Sequence, residues 1–250
     1  MNICVTGASS GFGEAITRRF VKEGHRVIAI ARRKERLEKL KEELGEACWI
    51  IPCDISQYEQ IQRLLSEVSK EFAPIDVLVN NAGLALGLQK AYECDFRDWE
   101  IMIETNVKAL CFLTRLILPQ MVERKRGHII MLGSIAGTYP YPGGNVYGAT
   151  KAFVRQFALN LRADLAGSGV RVSDIEPGLA AESEFSLVRF KGDKQKVEEL
   201  YKNANALIPE DIAEAVYWVA NLPAHININT LEVMPTSQSF APLNVWKQSP

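Results

Sequence analysis

The sequence has no pair of cysteines in C-x-x-C spacing, and its five cysteines, at positions 4, 48, 53, 94 and 111, are odd in number and mostly sit in apolar stretches. They read as reduced, buried thiols rather than as a disulfide framework. His25, His128 and His225 are scattered and lack the paired spacing of a zinc site, so no metal is expected. No apolar run approaches the roughly 18 residues needed to span a bilayer. The N-terminus also lacks the basic, apolar and small-residue succession of a secretory signal. A cytoplasmic location and no membrane partner are therefore expected. Charge of one sign is missing as well: 29 basic and 30 acidic residues are interspersed, for a formal net charge of -1. Such a balance directs no face toward nucleic acid, and any anion site must be local. Internal repeats, low-complexity tracts and Pro/Gly/Ser linkers are absent.

What is present is a chain of 250 residues, 47% hydrophobic and 24% charged, long enough to bury roughly 70% of its unfolded surface. That excludes disorder, a coiled coil or a minidomain, and one domain over residues 1–250 is expected. Short β-branched runs alternate with segments of helical period, which is the pattern of βαβ units on a parallel sheet. Seven runs read as strands: 3–5, 26–30, 49–51, 76–79, 128–132, 170–175 and 230–233. Most lack polar alternation, as strands buried on both faces should. The fold class is thus α/β, a Rossmann-type doubly wound parallel sheet with helices on both faces. The stretch 179–207 mixes aromatic, basic and acidic residues with weak periodicity, and reads as a substrate lid.

The first strand runs into Gly7, Ser9, Ser10, Gly11, Phe12 and Gly13, and a helical pattern follows. Strand, glycine turn and helix form a dinucleotide-binding arrangement, in which backbone N–H groups and the helix dipole stabilise a pyrophosphate. The spacing is G-x-x-x-G-x-G, and a plain turn is the competing reading. At the end of the second strand an NAD-binding chain places Asp or Glu. Here Arg32 and Arg33 stand instead, and their forked donors suit a 2′-phosphate, so NADP is favoured over NAD. Further on, Ser134 closes the fifth strand, and Tyr147 and Lys151 fall on one face of a helix. An ammonium beside a phenol favours phenolate, and the spacing predicts a Tyr147 pKa brought down toward the working range.

With these motifs in place, the chain resembles the short-chain dehydrogenase/reductase superfamily over nearly its whole length. The motifs are Thr6 to Gly13, Asp54, Asn80-Asn81-Ala82-Gly83, Asn106 with Ser134, Tyr147 and Lys151, and Pro177-Gly178, in the family's order. The resemblance implies hydride transfer between NADP and an alcohol or carbonyl carbon. In it Tyr147 is the general acid or base, Ser134 orients the substrate oxygen, and Lys151 binds the nicotinamide ribose and lowers the tyrosine pKa. Asn106 holds a water in a proton relay. Asp54 and Ile55 would lie at the adenine, and Asn81, with Ala82 and Gly83, near the riboses. Pro177, Gly178, Leu179, Ser183 and Phe185 would flank the nicotinamide.

Within the superfamily, the stretches 80–87, 143–147, 184–193 and 222–229 are similar to the NADP-dependent 3-hydroxy acid dehydrogenases, which act on serine, allo-threonine and malonic semialdehyde. A carboxylate substrate needs a cationic partner. Arg189 is the candidate, with Lys191 beside it, and Tyr139, Tyr141 and Asn145 could line the pocket. Against this, Glu182 falls where bacterial members of the group have a small residue, and a carboxylate beside the nicotinamide would disfavour an acidic substrate. Two other readings are kept. Arg124-Lys125-Arg126 could dock an acidic carrier protein for β-ketoacyl reduction, and a non-catalytic NADP sensor would use the glycine loop alone. The resemblance further implies a homotetramer. The apolar tail, with Phe240, Leu243, Val245 and Trp246 in about 236–250, is expected to pack on a neighbouring subunit.

Overall fold

The structure, a computed structural model, describes residues 1–240. Seven strands form one parallel sheet: β1 (Asn2–Thr6), β2 (Arg26–Ala31), β3 (Cys48–Pro52), β4 (Val77–Asn80), β5 (Gly127–Leu132), β6 (Val170–Pro177) and β7 (Thr230–Val233). Their order across the sheet is β3-β2-β1-β4-β5-β6-β7, and every neighbouring pair is parallel. Chain direction across the sheet reverses between β1 and β4, so the carboxyl ends of those two strands open a crevice.

The strands lack polar alternation because each serves two cores. Cys4, Ile28, Leu78, Ile129 and Met131 face one cluster, into which α5 (Leu110–Glu123) sends Leu113, Ile117 and Met121 and α6 (Asn145–Asp164) sends Val154, Ala158 and Leu161. Ile3, Val5, Val27, Ala29, Val79 and Ile130 face the other. There α1 (Gly11–Lys22) contributes Ile16 and Phe20, α2 (Lys34–Leu44) Leu37 and Leu40, and α9 (Pro209–Asn221) Ile212 and Val216. Successive strand side chains point to opposite faces, so a residue shifted by one position would exchange cores.

The third crossover contains α3 (Tyr58–Ser66). Between β4 and α5 run α4 (Phe96–Ile103) and one π-helical turn, Glu104–Ala109, in which Asn106 sits. Such turns concentrate at functional sites. Residues 180–207 leave the sheet and return through a single bridge between Ala180 and Leu207, and they hold α7 (Phe185–Arg189) and α8 (Lys194–Tyr201). Two short helices of 5 and 8 residues explain the weak periodicity there.

All five cysteines are free thiols. Cys4, Cys48 and Cys53 are buried, whereas Cys94 and Cys111 are only half-buried. Burial pushes the Cys4 thiol up to about 12. Among the described residues no helix is long and apolar enough to cross a membrane, and no group of three His, Cys, Asp or Glu could hold a metal ion. Of the apolar tail only the part up to Phe240 is described; Leu243, Val245 and Trp246 lie outside the described residues.

Candidate functional site

A cleft of about 700 Å³ opens along the carboxyl ends of the strands, within the size range of small-molecule sites. The glycine loop forms its floor. Gly7 and Gly11 have φ of +68° and +52°, in the left-handed region that other residues adopt only with strain. Gly7, Ser9, Ser10, Gly11 and Phe12 line the cleft. Gly13 does not; a Cβ there would stand 2.3 Å from the Gly7 carbonyl oxygen, so this glycine brings α1 against the loop. The N-terminus of α1 has no side-chain cap, which leaves its first N–H groups free for an anion. The loop is tied to β4 by Thr6. Its Oγ1 accepts from the amides of Asn81 at 3.0 Å and Ala82 at 2.9 Å, while Asn81 Nδ2 donates to the Thr6 carbonyl at 2.7 Å.

At one end stand the arginines. Arg33 donates to Ser9 Oγ at 3.2 Å, to Ser10 Oγ at 2.6 Å and to Glu184 Oε2 at 2.5 Å. Arg36 holds the other Glu184 oxygen at 2.7 Å. Burial pushes the Glu184 carboxyl up, but the two guanidiniums prevail and hold it below the usual range. Sequence reasoning missed Arg36 and Glu184. Arg32 is largely exposed, 3.9 Å from Asp54 Oδ2. Asp54 Oδ1 accepts from the backbone and hydroxyl of Ser56, which fixes the turn bearing Asp54 and Ile55.

At the other end Ser134, Tyr147 and Lys151 come together with Arg189. Ser134 Oγ accepts from the Ala136 amide at 3.1 Å, so its proton is free to donate elsewhere. Lys151 Nζ donates to the Leu132 carbonyl at 2.6 Å and lies 6.0 Å from the Tyr147 ring centroid. The Arg189 guanidinium lies 5.4 Å from the same ring, with one N–H donating to Tyr141 Oη at 2.6 Å and another to the Gly87 carbonyl at 3.3 Å. The expected depression of the Tyr147 pKa is absent. Burial dominates and pushes the phenol up to about 12, against the pull of the Ser134 hydroxyl and of Arg189. The same burial brings Lys151 down to about 8, opposed by Asp174.

Ala82 and Gly83 line the cleft, as do Asn81, Pro177, Gly178, Leu179, Ser183 and Phe185. Phe185 packs on Tyr147, with ring centroids 5.6 Å apart. Gln238 Oε1, absent from the sequence reading, accepts from the Leu179 amide at 2.7 Å. Asn106 does not reach the cleft surface. Its Oδ1 accepts from the Leu84 amide, and both Nδ2 protons go to the Leu84 carbonyl and Thr150 Oγ1. Its side chain therefore pins the Gly83–Leu84 segment, and only a lone pair of Oδ1 remains for a water.

Several expected neighbours lie elsewhere. Glu182 is exposed and does not line the cleft, which removes the objection to an acidic substrate. Lys191 pairs with Asp98 at 2.8 Å, away from the cleft. Asn145 bonds the Gln89 carbonyl outside it, whereas Tyr139 and Tyr141 do line it. Arg124 is held by Asp76 and the Ile75 carbonyl at the start of β4. The 124–126 cluster thus stands just before β5, at the amino ends of the strands and away from the cleft.

The family model described as short chain dehydrogenase matches residues 1–192. An NADP-dependent 3-hydroxy acid dehydrogenase of Escherichia coli strain K12 is 59% identical over 248 residues, covering 99% of this chain and 100% of the relative. A serine 3-dehydrogenase of Agrobacterium fabrum is 51% identical over 247 residues, 99% of this chain and 98% of the relative. Among solved structures, a closed form of serine dehydrogenase complexed with NADP+ superposes with a TM-score of 0.98 at 59% identity, over 99% of this chain and 100% of that one.

Proposed function

This chain belongs to the short-chain dehydrogenase family, and from that premise we propose that it is an NADP-dependent oxidoreductase acting between a small 3-hydroxy acid and its 3-oxo counterpart. The observation that carries the reading is Arg189. Its guanidinium leans over the Tyr147 ring inside the cleft, bonded to a phenol and a carbonyl, with no acidic partner among the described residues. A cation so placed suits a substrate carboxylate held a short way from the reacting carbon. The names of the relatives from Escherichia coli and Agrobacterium support the same substrate class.

The residues present fit an NADP molecule. Gly7, Gly11, Phe12 and the uncapped start of α1 suit the pyrophosphate, and a side chain at position 13 would close that cradle. Arg32, Arg33 and Ser9 suit the 2′-phosphate, while Asp54 and Ile55 suit the adenine. Asn81, Ala82, Gly83 and Lys151 suit the riboses, and Pro177, Gly178, Leu179, Ser183 and Phe185 the nicotinamide. The bound cofactor supplies the acceptor or donor of hydride. In oxidation Tyr147 Oη takes the proton of the substrate hydroxyl, and in reduction it returns one to the carbonyl oxygen. Ser134 Oγ donates a hydrogen bond to that oxygen throughout. Lys151 lends positive potential to the phenolate, and Asn106 holds the backbone beside it.

Initial rates with NADP+ or NAD+ against L-serine, L-allo-threonine, 3-hydroxyisobutyrate, matched 2-hydroxy acids and simple alcohols test the reading. Turnover of 3-hydroxy acids with NADP+ is the expected result; turnover of uncharged alcohols alone would remove the carboxylate role of Arg189. We further propose a cytoplasmic homotetramer. Ile101 and Ile103 on α4 and Phe153 on α6 are apolar and exposed in the single chain, which supports an interface along those helices. Light scattering after gel filtration at one, two or four protomers decides the point.

A further inference from the structure

Behind the candidate site lies a pair of acids that the chemistry above does not use. On β6, Val172 faces the core under α6 and Ile175 the opposite one, so Asp174 and Glu176, at two-residue intervals from Val172, face α6. Both residues are about 1% exposed. Neither Asp174 oxygen has an ordinary side-chain donor among the described residues, with only the Gly133 backbone and the Glu176 carboxyl within reach, and Glu176 Oε1 has Arg155 3.6 Å away. A carboxylate buried without donors must either stand near a cation or keep a proton.

The chain makes room for it. A Cβ at Gly133 would lie 2.4 Å from Asp174 Oδ1, so the acid occupies the space under the turn that joins Leu132 to Ser134. The Leu132 carbonyl on that turn is the one Lys151 grips. We propose that Asp174 is the buried counter-charge of Lys151, a positioning residue that keeps the ammonium protonated at the alkaline end of the working range, and that Glu176 tunes it by sharing a proton. The proposal rests on the reading of Lys151 given above.

Among the described residues the ionisable groups facing this region are Tyr147, Lys151 and Arg155 from α6, Asp174 and Glu176 from β6, Glu232 of β7 opposite Glu176, Tyr139, whose hydroxyl donates to Glu232, and Arg189 of α7 over Tyr147. Asp174 is the one whose charge bears on Lys151, and it raises the hold of the ammonium on its proton. Burial, and then the charge of Glu176, push Asp174 up to about 7, while Lys151 draws it back. Ionisation of the acid therefore stabilises the ammonium and delays the loss of its proton.

The direct test follows the lysine Cε resonances of the cofactor-free protein through a pH titration, with Lys151 assigned by its absence in Lys151→Arg. In Asp174→Asn the Lys151 midpoint should fall by about one pH unit. In Glu176→Gln it should move by less than about 0.3 pH unit, because Asp174 is already mostly ionised at that midpoint. A midpoint unmoved in Asp174→Asn, or moved down in both variants, overturns the proposal. If Asp174→Asn does not fold, Lys151→Met decides alone: the midpoint of the Asp174 carboxyl carbon should rise by a similar amount, and no rise there overturns the proposal. The pH profile of hydroxy acid oxidation is the second readout, and its alkaline limb should move with the midpoint in each variant. A midpoint that moves while the limb stays sustains the role of Asp174 and removes Lys151 from turnover.

Discussion

Lys151→Met should make this protein more stable at neutral pH while abolishing its turnover. Lys151 is 7% exposed, and burial holds its pKa at about 8 against an ordinary 10.5. Between those values the unfolded chain binds the extra proton, so the stability of the natural protein rises with pH through that window and is lowest below about 8. At pH 7 the charged lysine costs about 3 kcal/mol, at about 1.4 kcal/mol per pH unit of displacement, and at pH 10 under about 1 kcal/mol. The methionine fills similar space but leaves the Leu132 carbonyl without its donor, a loss of about 1 kcal/mol. The net expectation is a gain of about 2 kcal/mol at pH 7 that shrinks to nothing by pH 10. Urea unfolding of both proteins at pH 7 and pH 10, at one fixed protomer concentration, measures it. A variant less stable at pH 7, or a difference that does not change with pH, would refute the claim that a buried ammonium is the destabilising group.

Arg33→Ala removes charge-assisted bonds on the glycine loop side and should weaken NADP+ binding by about 10- to 100-fold, with NAD+ almost unaffected, by isothermal titration. Arg189→Ala should raise KM for 3-hydroxy acids by at least about 10-fold, while for uncharged alcohols it should lower kcat and leave KM unchanged in steady-state kinetics; an equal rise of KM for both would assign Arg189 to packing on Tyr141. Thr6→Val keeps the shape but strands the Asn81 and Ala82 amides, and should lower the urea midpoint by the equivalent of about 2 kcal/mol or more. A change below about 0.5 kcal/mol would mean that those amides find other partners.

The sheet was legible because every strand but the two at its edges is buried on both faces, so Ile3-Cys4-Val5 and Ile129-Ile130-Met131 read as unbroken apolar runs although alternate residues enter different cores. Glycine spacing and the Ser134, Tyr147 and Lys151 positions were legible because each motif is short in sequence. Contacts across long separations were not. Glu184 meets Arg33 from 151 residues away, and nothing in the Glu184-Phe185 stretch marks an acid that reaches the second strand. Asp174 and Glu176 read as ordinary strand residues, since alternation cannot say that the face they share is dry. Lys191 and Asn145 stand close in sequence to site residues, and backbone direction alone turns them away.

The direction of the Tyr147 displacement carries the largest mechanistic lesson. Four-residue spacing says that phenol and ammonium share a helix face, yet helix geometry says nothing of how much water both have lost. In the folded chain burial penalises the charged form of each, raising Tyr147 to about 12 and lowering Lys151 to about 8. Both groups are thereby driven toward neutrality, so the two cannot supply each other's charge cheaply without further sources of potential. A protonated phenol is the form that donates to a carbonyl oxygen, the step proposed above for reduction. Oxidation requires cations to gather around the phenolate, and the chain offers Arg189 at the cleft surface, with Lys151 below it sustained by Asp174. In the proposed mechanism the base that oxidation needs is therefore assembled from three elements, α6, α7 and β6, rather than from the Tyr147–Lys151 face alone.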